Sequence, residues 1–203
     1  MALRVLAVVS ALVHLAFEAR LGVYGPFLKA VPVAILGYLV LGAAARAGRS
    51  LAAVGLFVSA AADIAIEFSF LAGLGTFLVA HLLYIASFTQ RESRLRVLRL
   101  LPLSVWAVLL LPAMVRHAGG LAIPVAIYGC VIFTMMWRAA AAVNARGWNP
   151  GTILLAGALF FGLSDSLLGW NRFVSPVPGA DLLVMLTYWG GQALIATAFL
   201  RDA

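Results

Sequence analysis

The stretch FLKAVPVAILGYLVLGAAA, residues 27–45, holds a single charged side chain, that of Lys29. An apolar run of this length can cross the hydrocarbon core of a membrane as one helix. Similar runs recur along almost the whole chain, so we predict an all-α, polytopic membrane protein with about eight transmembrane helices. The predicted spans are residues 3–19, 27–45, 51–67, 70–89, 97–115, 120–141, 151–170 and 180–200.

The composition supports a membrane protein over a soluble one. Of the 203 residues, 65% are hydrophobic and 10% are charged, against roughly 25% charged in an ordinary soluble domain. Helices are expected because lipid cannot satisfy exposed backbone groups. The joints between runs are short, which predicts one transmembrane domain over residues 1–203. The first run also resembles a signal peptide, but no small-x-small cleavage site follows it, and we interpret it as a retained helix.

The net charge of +7 is interpreted as a sign of membrane orientation, not of nucleic-acid binding. With eight spans, both termini lie on the same side of the membrane. Ten basic residues lie on that side and four on the other, which places the termini in the cytoplasm. The expected location is the inner or plasma membrane of a bacterium. The ten are Arg4, Arg46, Arg49, Arg91, Arg94, Arg96, Arg99, Arg138, Arg146 and Arg201; the four on the other side are Arg20, Lys29, Arg116 and Arg172.

A short motif, Pro-Val-Ala-Ile-x-Gly, occurs twice, starting at Pro32 and at Pro124. A weaker echo pairs GLFVSAAAD, which ends at Asp63, with GALFFGLSD, which ends at Asp165. Two related halves of four helices each, meeting at an axis along the membrane normal, would explain both echoes. Chance recurrence in so apolar a chain is the alternative. The second echo has a longer offset, which predicts an insertion near residues 144–150.

Two of the seven acidic residues, Asp63 and Asp165, lie within apolar spans. Because a carboxylate is costly to bury in a bilayer, an intramembrane acid is a candidate functional residue. The assigned topology puts both near the outer ends of their helices. The alternative is a structural role in interhelical hydrogen bonds.

Further polar side chains are predicted near the same depth, and together they indicate an outward-facing polar cavity. Glu67 shares a helix face with Asp63, and Asp181 one with Tyr188 and Gln192, although both acids could be interfacial caps. Those expected to line the cavity with the two aspartates are Lys29, His81, Tyr84, Tyr128, Arg172, Tyr188 and Gln192.

Cofactor signals are weak. The three histidines, at 14, 81 and 117, lack the spacing that places two metal ligands on one helix face. An Asp/Asp/His site assembled by folding stays open. Cys130 is the single cysteine, which excludes an internal disulfide, and no phosphate loop or dinucleotide fingerprint is present. We therefore predict no cofactor and no metal.

Several motifs resemble those of the YhhN family of membrane proteins, to which the lysoplasmalogenases belong. The most specific runs from Phe161 to Phe173, and the His-x-x-Tyr motif at His81 is next. The resemblance covers about residues 29–199. This chain has Ala62 before Asp63, where the family usually has glycine. The matching segments are GLFVSAAADIAIEF, GLGTFLVAHLLYIASF, IPVAIYGCVIFTMM, GALFFGLSDSLLGWNRF and TYWGGQALIATAF.

The resemblance implies an eight-helix enzyme that hydrolyses the vinyl ether bond of a lysophospholipid substrate, a lysoplasmalogen. The products would be a fatty aldehyde and glycerophospho-ethanolamine or -choline. This chemistry needs one acid to protonate the alkene carbon and one base to activate water, as in glycosidases. We expect Asp63 and Asp165 to form that catalytic pair, with the two roles unassigned.

The other predicted site residues would bind substrate. His81, Tyr84, Tyr128, Tyr188 and Gln192 would position water or the ether linkage. The phosphate would be held by Lys29, Asn171 and Arg172.

The alternative is a small transporter or a lipid-binding membrane protein. Intramembrane acids and a two-half repeat also suit proton-coupled transport. A transporter would move its substrate across a vesicle membrane unchanged.

Overall fold

A computed structural model describes residues 2–144 and 147–201. Arg146 and the side chains of Arg4 and Arg20 therefore lie outside the described part. The described residues form eight α-helices and no strand, which confirms the predicted all-α class. The helices are α1 (Ala2–Leu21), α2 (Gly25–Leu41), α3 (Arg49–Phe68), α4 (Phe70–Arg91), α5 (Leu100–His117), α6 (Ala122–Ala141), α7 (Pro150–Phe173) and α8 (Ala180–Leu200).

The six helices from α3 to α8 are long and apolar enough to cross a membrane, which indicates an integral membrane protein. Helix α2 has 17 residues and ends at Leu41, four residues before the predicted end of its span. The described apolar part of α1 is the shorter stretch Val5–Ala16.

Six helices form a ring. Each of α2, α3, α4, α6, α7 and α8 packs against the next in that order, and α8 packs against α2. Helix α1 lies outside the ring against α2, and α5 lies outside it against α6. The ring is filled by side chains, since α3 and α8 also touch across it.

Helices α7 and α8 approach each other closely through two glycines, Gly157 and Gly191. A Cβ atom added to either glycine would lie 2.9 Å from the carbonyl oxygen of the other. Small residues permit such backbone contact between membrane helices. The start of α7 is set by a capping box, in which Asn149 accepts from the first turn and Thr152 bonds back to it.

One end of the bundle, here called the arginine end, is held by four arginines. Each donates hydrogen bonds to main-chain carbonyls of another helix or of a loop, so carbonyls at helix C-termini gain partners and the positive charge meets the negative end of the helix dipole. The donor and acceptor residues are Arg49 with Leu41 and Ala43, Arg91 with Ala198, Arg99 with Ala140, and Arg138 with Glu92 and Arg94.

If the two echoes mark a repeat, the helix bounds do not favour the predicted insertion near residues 144–150. The loop 142–149, which follows α6, is nearly as short as the loop 42–48 that follows α2. The larger difference lies in the helices, because α6 continues to Ala141, further past its Pro124 motif than α2, which ends at Leu41, continues past its Pro32 motif. The run from Val131 to Ala141 has no glycine or proline to stop the helix.

Candidate active site

A polar cavity of about 320 Å³ opens at the end of the bundle opposite the arginine end. Both aspartates line it, Asp63 near the end of α3 and Asp165 on α7. Of the other predicted site residues, Lys29, Asn171, Arg172 and Tyr188 line the same cavity. Glu67 and Asp181, which the sequence left as interfacial caps, also line it.

Asp63 is almost completely buried, with 1% of its surface exposed. The Tyr188 hydroxyl donates a hydrogen bond of 2.8 Å to its Oδ2 atom. Among the residues that the structure describes, this is the side-chain hydrogen bond that Asp63 receives. Helix α8 therefore positions the α3 carboxyl, and the only donor supplied is neutral.

Asp165 has two side-chain partners from two other helices. The Tyr128 hydroxyl of α6 donates to its Oδ2 atom at 3.1 Å. The Nε2 atom of His81, on α4, lies 3.4 Å from the same oxygen. The His81 side chain is fully buried, and that of Asp165 is 8% exposed. The two aspartates of one cavity thus have different neighbours.

Aromatic rings form the wall behind the two carboxyls. Phe161 packs against His81 with a centroid separation of 4.6 Å, and against Tyr188 at 5.3 Å. Phe77 stands edge-on to Phe161 and Tyr188. These contacts restrict the rings of His81 and Tyr188, which favours the orientations that reach the aspartates. Sequence reasoning missed both phenylalanines because they resemble ordinary packing residues in an apolar span.

Tyr84 and Gln192 do not line the cavity. The Tyr84 hydroxyl donates to Gln192 Oε1 at 2.7 Å and lies 3.4 Å from Ser59 Oγ, all three side chains being fully buried. They lie deeper in the ring, where a polar cluster joins α3, α4 and α8. Their predicted contact with substrate remains a prediction.

The cavity rim is charged. The Lys29 ammonium forms a salt bridge of 2.8 Å with Glu67, and the Arg172 guanidinium lies 3.9 Å from the centre of the Phe70 ring. Asn171 accepts a hydrogen bond of 2.8 Å from the Val177 main chain, so its side-chain oxygen also holds the loop between α7 and α8.

An apolar groove adjoins the cavity. Its far wall comes from α5 and α6, with side chains such as Trp106, Met114 and Met136. The groove and the cavity meet at Asp165, and Tyr128 lines the groove. The lining residues that the two share are Ile66, Phe70, Phe77, Asp165 and Leu168.

Metal binding finds no geometric support in residues 2–144 and 147–201. They contain no group of three or more His, Cys, Asp or Glu side chains placed to hold a metal ion. Asp63, Asp165 and His81 thus lie near one cavity without forming a ligand set.

Comparison with known proteins identifies relatives over most of the chain. A sequence model of the YhhN family matches residues 24–199. The human lysoplasmalogenase TMEM86B is 32% identical over 91% of this chain and 79% of its own length. Human lysoplasmalogenase TMEM86A is 35% identical over 70% and 62% of the two chains, respectively, and a lysoplasmalogenase of Mycobacterium bovis is 30% identical over 64% and 51%. No solved structure matches.

Proposed function

Because the chain belongs to the YhhN family, we propose that it is a membrane hydrolase that cleaves the vinyl ether bond of lysoplasmalogens. The products are a fatty aldehyde and glycerophospho-ethanolamine or -choline. Relatives in mammals and mycobacteria bear the name lysoplasmalogenase, which supports this substrate class.

The observation that carries the proposal is the position of Asp165, where the polar cavity meets the apolar groove. In a lysoplasmalogen the vinyl ether joins the polar glycerol to the alkenyl tail. A lipid with its headgroup in the cavity and its tail in the groove has this bond beside Asp165.

The two carboxyls suit the first half of the reaction. A carboxylic acid donates its proton to the alkene carbon on the tail side, which leaves an oxocarbenium ion at the carbon bonded to oxygen. The second carboxyl, as a carboxylate, stabilises this cation and takes a proton from the water that attacks it. The product of this half is a hemiacetal, and the two carboxyls have exchanged protonation states.

The second half of the reaction restores them. The first carboxylate removes the proton of the hemiacetal hydroxyl while the second acid protonates the departing glycerol oxygen. The carbon–oxygen bond to glycerol breaks, and the aldehyde forms. One water is consumed, and each carboxyl regains its starting state, as in a glycosidase cycle.

Charged rim residues would hold the headgroup. Arg172 and Lys29 supply positive charge for the phosphate, with the Arg172 guanidinium oriented by its contact with Phe70. Asn171 lines the same cavity and is held by its hydrogen bond from the Val177 main chain. The salt bridge between Lys29 and Glu67 would open or shift when the phosphate binds.

Helix α5 offers a route by which the tail could enter. It forms the outer wall of the groove, Leu103 is its one buried residue, and Leu101, Val105 and Val108 are exposed. A lysolipid in the outer leaflet would reach the groove by passing between α5 and α7. Lateral entry avoids exposing the alkenyl tail to water.

The arrangement of helices supports eight spans, two related halves and one domain. The contacts in the ring are the same in both halves: α2–α3 corresponds to α6–α7, α3–α4 to α7–α8, and α4–α6 to α8–α2. Asp63 and Asp165 occupy corresponding helices, α3 and α7. With the basic arginine end in the cytoplasm, both termini are cytoplasmic and the cavity faces outward.

The test is aldehyde release from a defined lysoplasmalogen by the full chain in lipid nanodiscs. We expect activity from the wild type and a loss of at least about 100-fold in Asp63→Asn and in Asp165→Asn, a range typical of lost acid–base catalysis. Asp181→Asn is the matched control, since it changes a rim carboxyl of the same cavity. In D₂O the aldehyde should carry one deuterium on the carbon next to the carbonyl.

The proposal fails if folded wild-type protein releases no aldehyde, or if both aspartate variants stay active. If the wild type is inactive but retains intact lysolipid, the protein would be a lipid-binding protein. If it moves intact lysolipid across a vesicle membrane, it would be a transporter. Aldehyde without solvent deuterium would refute protonation of the alkene carbon.

A further inference from the structure

The apolar groove beside Asp165 is closed on the side of the arginine end. Along α5 and α6, the lining residues nearest that end are Trp106 and Met136, and they form what is here called the groove floor. The lining of α5 continues to Met114, eight residues or about 12 Å further toward the cavity end at 1.5 Å per residue. A tail that starts at Asp165 therefore finds room toward Met114 and not toward the arginine end.

The Trp106 indole is held in one orientation by α7. Its Nε1 atom donates a hydrogen bond of 3.0 Å to Ser166 Oγ, and the Ser166 hydroxyl donates one of 2.7 Å to the main-chain oxygen of Gly162. An indole N–H only donates, so both hydrogens have a defined acceptor. The polar edge of the ring is thus bonded to α7, and its carbon atoms are left to line the groove.

Gly162 lets the groove floor lie directly against the α7 backbone. A Cβ atom added to this glycine would lie 3.2 Å from Trp106 Cη2 and 2.7 Å from Met136 Sδ. The two large side chains therefore fill the space between α5, α6 and α7 about one helical turn from Asp165. Side chains packed this closely accommodate an added group only at a cost in free energy.

The groove floor lies beside the position at which the vinyl ether is proposed to react, because Ser166 directly follows Asp165 in the chain. With the ether at Asp165, the first tail carbons beyond the double bond contact the indole. The polar groups nearby already have partners, since the Tyr128 hydroxyl is bonded to Asp165 and the Ser166 hydroxyl to Gly162. An apolar chain can therefore cover them without leaving a polar group unpaired.

We propose that Trp106 is a specificity-determining residue that restricts the protein to lysolipids whose tail is unbranched next to the vinyl ether. The inference rests on the proposed function and deepens it. The groove has a volume of about 70 Å³, against about 320 Å³ for the polar cavity, which suits a single straight chain. A branch at the first tail carbons would have to displace a ring that is hydrogen-bonded to Ser166 and packed against Gly162.

The first measurement is the affinity of two saturated ether lysolipids for the full chain in lipid nanodiscs. Both lack the double bond, so neither can undergo the proposed hydrolysis, and they differ only by two methyl groups on the third tail carbon. We expect the wild type to bind the branched lipid at least about tenfold more weakly, a size typical of overpacking. Trp106→Ala should bring the two affinities within about threefold of each other, because the space left by the indole accepts the branch. Trp148→Ala, which removes an exposed tryptophan of the loop 142–149, should keep the wild-type ratio.

Two milder variants decide the question if Trp106→Ala does not fold. Ser166→Ala removes the acceptor of the indole N–H, and Trp106→Phe keeps an aromatic ring that has no donor. Each variant loosens the groove floor, so each should lower the ratio of the two affinities below the wild-type ratio. A wild-type ratio in both variants would overturn the proposal.

The second measurement locates the tail relative to Trp106. Bromine atoms quench the fluorescence of a nearby tryptophan, so the straight lipid is brominated either at the third and fourth tail carbons or at the end of the tail. The quenching that belongs to Trp106 is the difference between the wild type and Trp106→Phe. We expect it to be stronger for bromines near the ether. Stronger quenching from the tail end would overturn the proposal.

Failure of this inference can be told apart from failure of the proposed hydrolysis, because neither measurement needs turnover. Equal wild-type affinities for the two lipids, or an unchanged ratio in a folded Trp106→Ala, would overturn the inference even if aldehyde is released. If the expected ratio is found and no aldehyde is released, the hydrolysis fails and the tail site stands. In an active protein, Trp106→Ala should raise kcat/KM for a branched lysoplasmalogen relative to a straight one.

Discussion

The hydroxyl of Tyr188 offers a sharp test of the site because it can be removed without changing the packing. Tyr188→Phe keeps the ring between Phe77 and Phe161 and deletes the 2.8 Å hydrogen bond to Asp63. In either role Asp63 is a carboxylate at one stage of the cycle, and that carboxylate loses its donor. A hydrogen bond to a charged group contributes about 1.5–3 kcal/mol, which corresponds to a roughly 10- to 150-fold lower kcat.

The matched control is Tyr84→Phe. It deletes a hydroxyl that is equally buried but is bonded to Gln192 rather than to either aspartate. We expect Tyr84→Phe to lower the melting temperature and to leave kcat within about threefold of wild type, because it removes one neutral hydrogen bond. Both variants would be assayed for aldehyde release in nanodiscs. Equal kcat for Tyr188→Phe and wild type, with the fold intact, would refute the role of Tyr188 at Asp63.

Three further variants test the groove, the rim and the arginine end. Gly169→Ala should lower kcat/KM for long-chain substrates more than for short ones, because the new Cβ atom would lie 2.6 Å from Met114 Sδ in the groove. Adding Met114→Ala to the same protein should restore kcat/KM for the long-chain substrates. Equal losses at all chain lengths would contradict a tail-binding site in the groove. Arg172→Gln should raise KM about tenfold or more with little change in kcat, as expected for the loss of a charged hydrogen bond to phosphate. An unchanged KM would show that Arg172 does not bind the headgroup. Arg138→Gln should lower the free energy of unfolding by about 3 kcal/mol, because a buried cation with several hydrogen bonds is lost. The measurement is the shift in melting temperature, and KM should stay unchanged. A variant as stable as the wild type would show that the contacts of Arg138 contribute little.

That Asp63 and Asp165 lie at one cavity could be expected from the sequence, because a charge within an apolar run is visible without knowledge of the fold; their catalytic role stays a prediction. Helix count was predictable for the same reason, since the hydropathy pattern reports each run separately. Glu67 and Asp181 were left open between cavity residues and interfacial caps because they stand near predicted span ends. Whether an acid at a helix end faces headgroups or a cavity depends on which helices are neighbours, and one sequence does not show this.

The features of the site that the sequence did not predict depend on contacts between helices that are distant in the chain. His81 and Asp165 lie on α4 and α7, and their contact needs the ring order of the helices. Tyr188 was predicted as a cavity residue from its face of α8, but its bond to Asp63 was not. The end of α2 was predicted four residues too late, at 45 instead of Leu41, because the apolar pattern continues into the residues that follow the helix.

The arginine end and the cavity lie at opposite ends of the same helices, which has a mechanical consequence. Side-chain hydrogen bonds from Arg49, Arg91, Arg99 and Arg138 join helices and loops at one end, so we expect this end to be the more rigid one. At the cavity end, we expect the helices to move apart to admit a lipid when the Lys29–Glu67 salt bridge opens. Amide hydrogens near Asp165 should then exchange faster than those near Arg138, and a bound lysolipid should slow them.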